Sequence, residues 1–327
     1  MSEIMFIKTS SLGDVIHNLP AVTDVWRHRP AARISWVVEE DYAPLIRLHP
    51  AVAEVIPVAT RRWRWRLHRP AIWYEVRTLL HDLRSRPYDA VIDTQGLFRS
   101  ALLSRLVRGR RHGFGQDSAR ETLATLFYDV HHSVTRRLHA IDRNRALTAQ
   151  VLGYTFAETI DYGLAPVAKG DPWPRYAVFI HGSARREKEW REERWIMLGQ
   201  ALRSAGIAIR LPWGNAAERA RSERLAVAIR DAEIPDRQPL DDMARLIGEA
   251  TIVVGLDTGL THLAAAFGVP LVAIFGGSDP NLTGPRGSGP ITIVGNETRS
   301  PDADEVIRVV RDMLARNIAA PAASFGR

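Results

Sequence analysis

Short apolar runs alternate along this chain with stretches whose apolar positions recur every third or fourth residue, the rhythm of strands followed by helices. Residues 4–8 read as a first strand. Thr9-Ser10-Ser11-Leu12-Gly13-Asp14 breaks it, and Val15, Leu19, Val22 and Trp26 then repeat at helical spacing. Pro20 lies early in that helix and predicts an irregular first turn. Strands are expected at 34–38, 54–57, 89–93 and 110–115, with a short helix at 42–48, a longer one at 72–83 and another carrying Arg99. A second series predicts strands at 176–180, 207–211, 252–255 and 271–275. Its helices are expected at 192–204, 216–230, 240–248, 260–267 and 303–315. Between the two series the pattern fails: DYGLAPVAKGDPWPR, residues 161–175, holds three prolines and two glycines and reads as a linker. The expected fold is therefore α/β, with two Rossmann-like doubly wound domains, 1–160 and 176–312, facing a cleft. Residues 313–327 are expected to be a tail that frays or packs back on the first domain.

The turns after the strands carry the candidate chemistry. In TIVVGLDTGLTHLAAAFGVPLVAIFGGSDP, residues 251–280, an apolar strand meets Asp257, Thr258 and Gly259 before a helix closed by Gly268 and Pro270. Free backbone N–H groups and the positive end of the helix dipole make such a helix start an anion site. Gly259 lets a ligand approach the backbone, Thr258 offers a hydroxyl, and His262 follows one turn along. The same residues also suit an ordinary βαβ unit capped by Asp257. Asp14 poses the same choice: it is either an N-cap or a carboxylate at the carboxyl end of the first strand, where open α/β sheets bind ligands.

Composition narrows the class. The chain has 327 residues, 46% hydrophobic and 25% charged, as a soluble globular protein has. It has no cysteine, which removes disulfides and thiolate metal sites. No apolar run approaches the roughly 20 residues of a membrane helix, and the N-terminus enters a strand without a signal peptide, so a cytoplasmic location is expected. A formal charge of +7 points to an acidic partner: nucleic acid, an anionic membrane or a phosphorylated substrate.

Much of that charge is arginine. Arg61, Arg62, Arg64 and Arg66 interleave with Trp63 and Trp65 in a segment of poor periodicity, read as a loop. Arg120, Arg136, Arg137 and Arg143 follow. The run is either a solvated face or a patch for phosphates and carboxylates, to which arginine forks are suited. His131 and His132 are adjacent but have no third ligand at useful spacing, so no metal site is expected.

The dinucleotide G-x-G-x-x-G, the P-loop and G-x-S-x-G are all missing. Two doubly wound domains without them fit a glycosyltransferase of the two-domain GT-B type. A GT-B-type sugar-nucleotide epimerase would share the fold without needing the basic first half. A nucleic-acid binder would explain the charge but not a strand–turn–helix site in each domain.

The runs IKTSSLGDVIHNLPAVTD (7–24), WVVEEDYAPL, VIPVATRRWRW, VIDTQGLFRSA and LPWG, then Asp-Thr-Gly-Leu-Thr-His, resemble the lipopolysaccharide heptosyltransferases in order over nearly the whole chain. The KTSS-type turn resembles the heptosyltransferase I branch rather than II. The resemblance implies an inverting, metal-independent enzyme with no cofactor. It would move L-glycero-D-manno-heptose from ADP-heptose to Kdo of Kdo2-lipid A, in contact with the anionic inner membrane and with no nucleic-acid partner. The first domain would then bind acceptor and the second donor. The resemblance further implies that Asp14 is the general base and that Lys188 contacts the donor diphosphate, as do Thr258, Gly259 and His262. Asp257 would contact the heptose and Glu218 the ribose hydroxyls. Ser183 stands where the family has threonine and keeps the hydroxyl. Ala184 replaces a frequent second hydroxyl, which puts one donor contact in question. On the acceptor side it implies Ser11, Arg61, Arg62, Arg64, Arg66, Arg120 and Arg143.

Overall fold

The computed structural model describes residues 2–66, 68–165, 175–183 and 185–319. The chain divides into two compact units, residues 1–165 and 166–327.

In unit 1, β1 (Glu3–Ile7) is followed by α1 (Leu12–Ile16) and α2 (Leu19–His28), then β2 (Arg33–Glu39), α3 (Ala43–Ile46) and β3 (Val52–Val58). Next come α4 (Thr60–Trp63), α5 (Pro70–Arg84), β4 (Tyr88–Asp93), α6 (Phe98–Leu106), β5 (Gly109–Phe114), β6 (Val130–His132) and α7 (Ala140–Leu152). The six strands pair in parallel in the order β3-β2-β1-β4-β5-β6. Winding reverses between β1 and β4, whose ends meet with Ile7 beside Asp93. A parallel sheet with both faces covered needs strands apolar on both sides, as the fully buried Met5, Phe6 and Ile7 show. On one face Leu79 and Leu83 of α5, with Leu103 and Leu106 of α6, close the core over Met5, Ile7, Val37 and Val91. α7 is tied to α2 by Arg145, whose guanidinium donates to Asp24 at 2.7 and 3.1 Å in a fully buried pair.

The helix expected after Asp14 is two helices, broken at His17-Asn18, and Pro20 takes the second position of α2, where no N–H is required. The expected loop at 61–66 begins as the short helix α4.

In unit 2, β7 (Tyr176–Ile180), α8 (Glu192–Ser204), β8 (Ala208–Arg210), α9 (Ala216–Ala228) and α10 (Leu240–Gly248) lead to β9 (Ile252–Leu256) and α11 (Gly259–Ala266). β10 (Leu271–Gly276), α12 (Pro280–Thr283), β11 (Ile291–Asn296) and α13 (Ala303–Ala319) complete it. The parallel sheet runs β11-β10-β9-β7-β8, so winding reverses between β7 and β9. The final helix is longer than its periodicity suggested: Met313 and Leu314 are core residues and helix continues to Ala319, so the expected tail begins inside it. Residues 320–327, and 166–174 of the expected linker, lie outside the described residues. Among the described residues no helix is long and apolar enough to cross a membrane.

Candidate functional site

Each unit gathers its unusual polar residues where its sheet reverses direction, the position at which ligands bind to open α/β sheets. In unit 1 the N-cap of α1 is Ser11, one turn before the expected Asp14. Asp14 sits at the third helical position and reaches back, its Oδ2 accepting from Ser11 N at 3.2 Å and Ser11 Oγ at 3.1 Å. Arg120 donates to Asp14 Oδ1 at 2.5 Å and Oδ2 at 3.3 Å. Burial works to raise the Asp14 pKa, but Lys8 and Arg120 outweigh it and hold the carboxyl below its ordinary range. Lys8 directly follows β1 and donates to Thr94 O at 2.8 Å; burial lowers its pKa to about 8. Thr9 is held through N and Oγ1 by Gln95 Oε1, at 2.7 and 2.9 Å, which locks the turns after β1 and β4 together.

Lys8, Thr94, Gln95, Phe114, Arg120 and Arg143 line one small cavity at this end of the sheet. Thr94 Oγ1, Gln95 Nε2 and Arg143 Nε are buried there without a partner among the described residues. Arg143 lies over the Phe114 ring at 4.7 Å and donates to Ser118 O at 2.6 Å. Beneath them Asp93 is fully buried, accepting from Tyr128 OH at 2.8 Å and from the N–H groups of Gln95 and Gly96. Burial raises its pKa.

The arginines of 61–66 follow β3, at the same carboxyl edge of the sheet but two strands from β1. Arg62 is structurally committed: it pairs with Glu40 at 2.9 Å and Glu75 at 2.8 Å, and Trp63 Nε1 joins the same Glu75 at 2.7 Å. Arg61 lies over the Tyr42 ring and Arg64 over Trp65, and Arg64 and Arg66 are exposed. His131 Nε2 meets Thr125 O, and His132 meets His112 at 3.1 Å. Among the described residues no three metal-ligating side chains converge.

In unit 2, β9 delivers Asp257, and the N-cap of α11 is Thr258, not the aspartate expected there. Asp257 Oδ2 accepts from Lys188 Nζ at 2.5 Å and from Ser278 Oγ at 2.7 Å, and His262 Nε2 stands 3.6 Å from Oδ1. Burial works to raise the Asp257 pKa, but these donors prevail and keep the carboxylate ionised well below its usual range. Thr258 is extended, and its Oγ1 is buried with no partner among the described residues. Gly255 lets this turn close: a Cβ there would come 2.4 Å from Thr261 Oγ1, which donates to Leu256 O at 2.5 Å.

The turn after β7 lies alongside. Glu218, at the start of α9, accepts from Gly214 N at 2.7 Å, and a Cβ on Gly182 would lie 2.7 Å from its Cδ. The Glu218 carboxylate thus bridges the turns after β7 and β8. Ser183 Oγ accepts from Arg185 N at 3.2 Å, and Ala184 lies outside the described residues. His181 is held neutral, its pKa lowered to about 4 by burial and by Arg221, and bonds Ser222 Oγ at 2.9 Å.

Sequence reasoning thus singled out Asp14, Arg120 and Arg143, which come together, and Lys188, Asp257, Thr258 and His262, which do likewise. It missed Lys8, Thr94, Gln95 and Ser278. The first three directly follow the paired strands β1 and β4, a signal that strand order alone reveals.

The family model Glycosyltransferase family 9 (heptosyltransferase) matches residues 76–309. Lipopolysaccharide heptosyltransferase 1 of Pseudomonas aeruginosa is 45% identical over 291 residues, which cover 87% of this chain and 81% of that protein. The solved structure of E. coli heptosyltransferase WaaC with ADP has a TM-score of 0.89 and 38% identity, covering 95% of this chain and 99% of that one. Its complex with ADP-2-deoxy-2-fluoro heptose gives a TM-score of 0.85 over the same shares.

Proposed function

The chain belongs to glycosyltransferase family 9, the heptosyltransferases, and from that premise we propose that it moves L-glycero-D-manno-heptose from ADP-heptose to Kdo of Kdo2-lipid A, in the inner core of lipopolysaccharide. Unit 2 would hold the donor and unit 1 the acceptor. The observation that carries the donor assignment is Thr258: a buried hydroxyl with no partner among the described residues, at the N-terminus of α11 and one residue from a carboxylate that fixes Lys188. A diphosphate would supply acceptor oxygens for that hydroxyl and for the first N–H groups of the helix.

Asp14 is the proposed base. Its carboxylate takes the proton of the attacking acceptor hydroxyl as the oxygen bonds to the anomeric carbon and ADP leaves from the opposite face, inverting the centre. Lys188 has three N–H donors and places one on Asp257, which leaves two for phosphate oxygens. Charge grows on those oxygens as ADP departs, so a fixed ammonium and a helix start stabilise the transition state. That pairing supports transfer without a metal. Asp257 is proposed to orient the heptose, with Glu218 at the ribose and Ser183, Gly259 and His262 completing the donor contacts.

Arg120 and Arg143, with Ser11, are proposed to meet the carboxylates and phosphates of the acceptor. The exposed Arg61, Arg64 and Arg66 would extend that contact to an anionic leaflet, holding the protein peripherally on the cytoplasmic face of the inner membrane. Transfer assays with ADP-heptose against other sugar nucleotides, on an acceptor bearing Kdo, test the reading. Equal use of another sugar nucleotide would overturn it.

A further inference from the structure

α6 and the 3₁₀ helix Thr122–Phe127 pack together through small residues and turn large ones outward. Ala101 and Ala124 are buried between them, with Tyr128, while Phe98 and Leu102 are 44% and 45% exposed and Leu123 and Leu126 are 63% and 76% exposed. Phe98 and Leu102 are four apart on one helix face, and Leu123 and Leu126 are three apart, which eclipses them on a 3₁₀ helix. The result is one apolar face, on two elements that carry no acidic residue between them. A soluble protein rarely exposes such a cluster without a partner.

The face is joined to the site of unit 1. Phe98 N donates to Glu121 Oε2 at 2.6 Å, Arg99 reaches Ser10 Oγ at 3.3 Å, and Glu121 follows Arg120, the partner of Asp14. Arg99 and Arg105 are exposed on α6 itself. α5 lies in the same layer, because Leu79 and Leu83 share a core cluster with Leu103 and Leu106, and Trp73 and Tyr74 of α5 are 57% and 75% exposed. Exposed leucine and aromatic side chains set among arginines suit the boundary between anionic headgroups and acyl chains. The lipid-borne acceptor proposed above, together with the arginines around the apolar side chains, favours an anionic lipid surface as the occupant.

We propose that this face, centred on Phe98, Leu102, Leu123 and Leu126, seats in the acyl layer of an anionic lipid surface and so brings the base Asp14 to a lipid-borne acceptor. The proposal rests on the lipid-linked acceptor inferred above. It assigns the apolar part of the contact to this face, separately from the arginines after β3.

Flotation of the full chain with vesicles of phosphatidylethanolamine and phosphatidylglycerol tests it. Wild type should bind, and part of the binding should survive high salt because apolar contact is not screened. L123S/L126S should lower salt-resistant binding by about tenfold or more, and L123M/L126M should restore it. Both variants should melt like wild type, since the positions are exposed, and should keep wild-type transfer to a soluble, deacylated acceptor. Equal vesicle binding by wild type and the serine variant would overturn the proposal. So would a wild-type dimer in sedimentation that the serine variant dissociates with vesicle binding unchanged. If wild type transfers no heptose even to the soluble acceptor, the reaction assignment fails, while the vesicle comparison still decides the role of this face.

Discussion

Arg120 holds Asp14 from one side, 2.5 Å from Oδ1, while Ser11 holds it from the other through N–H and hydroxyl on Oδ2. The carboxylate is fixed and ionised, and it is a weak base while Arg120 remains on it. On the proposed reading, an acceptor bearing carboxylates or phosphates would compete for the guanidinium and so strengthen the base as it arrives. Asp14→Asn removes the proposed base and leaves a single oxygen to accept from either Ser11 or Arg120. It is expected to lower kcat by about 10²–10⁴-fold with ADP affinity unchanged, measured by steady-state kinetics and calorimetry. Retained turnover with a lowered melting temperature would reduce Asp14 to a helix-stabilising residue.

Lys8 introduces a pH dependence. Its pKa is lowered by burial to about 8, so in the free enzyme it is cationic below that pH and neutral above it. Losing that cation beside Asp14, Arg120 and Arg143 would weaken the field proposed to attract an anionic acceptor. The kcat/KM for acceptor should therefore fall as pH rises through about 8, since this ratio reports free-enzyme ionisations. Lys8→Met should show a lower plateau without that alkaline limb. An identical limb in the variant would assign the titration elsewhere.

The Lys188–Asp257 pair gives a prediction on the leaving group. Lys188→Ala is expected to lower kcat by about 10²–10³-fold, the scale of removing one transition-state donor. Exhaustive EDTA should leave wild-type activity in place. Rescue of a chelated wild type by magnesium would replace Lys188 with a metal as the main counter-charge.

Neighbouring arginines should separate into stability and recognition. Arg62 ties Glu40 to Glu75 of α5, and with part of the network exposed its loss should cost about 1 kcal/mol, seen in chemical denaturation. Arg61→Ala with Arg64→Ala should instead raise acceptor KM and leave stability and donor KM alone. The reverse distribution would mean that Arg62 is the recognition residue.

The sequence made some of this plain. Helices at 192–204 and 240–248 and the strand at 176–180 matched residue for residue, because their apolar spacing is unbroken and their ends are marked by polar residues or glycine. The break at His17-Asn18 was hidden because helical spacing continues from Val15 through Trp26 across it. α7 left little trace because its buried positions include Asn144, Arg145 and Thr148, polar groups satisfied only in the folded chain. Asp257 and Thr258 could be read because strand, turn and helix are contiguous. Lys8 and Thr94 could not, since they meet across 86 residues and only the order of the sheet makes them neighbours.

The proposed donor contact of Thr258 has a cost in the resting fold, where its hydroxyl is buried with no partner among the described residues. A buried hydroxyl without a partner lowers stability by about 1–3 kcal/mol, so Thr258→Val, which keeps the shape, should unfold at a higher temperature than wild type when both are free of ligand. Added ADP should then stabilise the wild type more than the variant, reversing or narrowing the gap in a melting experiment. A variant that melts no higher would show that the hydroxyl carries no penalty. By mass action the population of intact protein would follow its substrate. A cell starved of donor would carry a slightly more perishable enzyme than a cell supplied with it, and selection for thermal robustness alone would erase this hydroxyl.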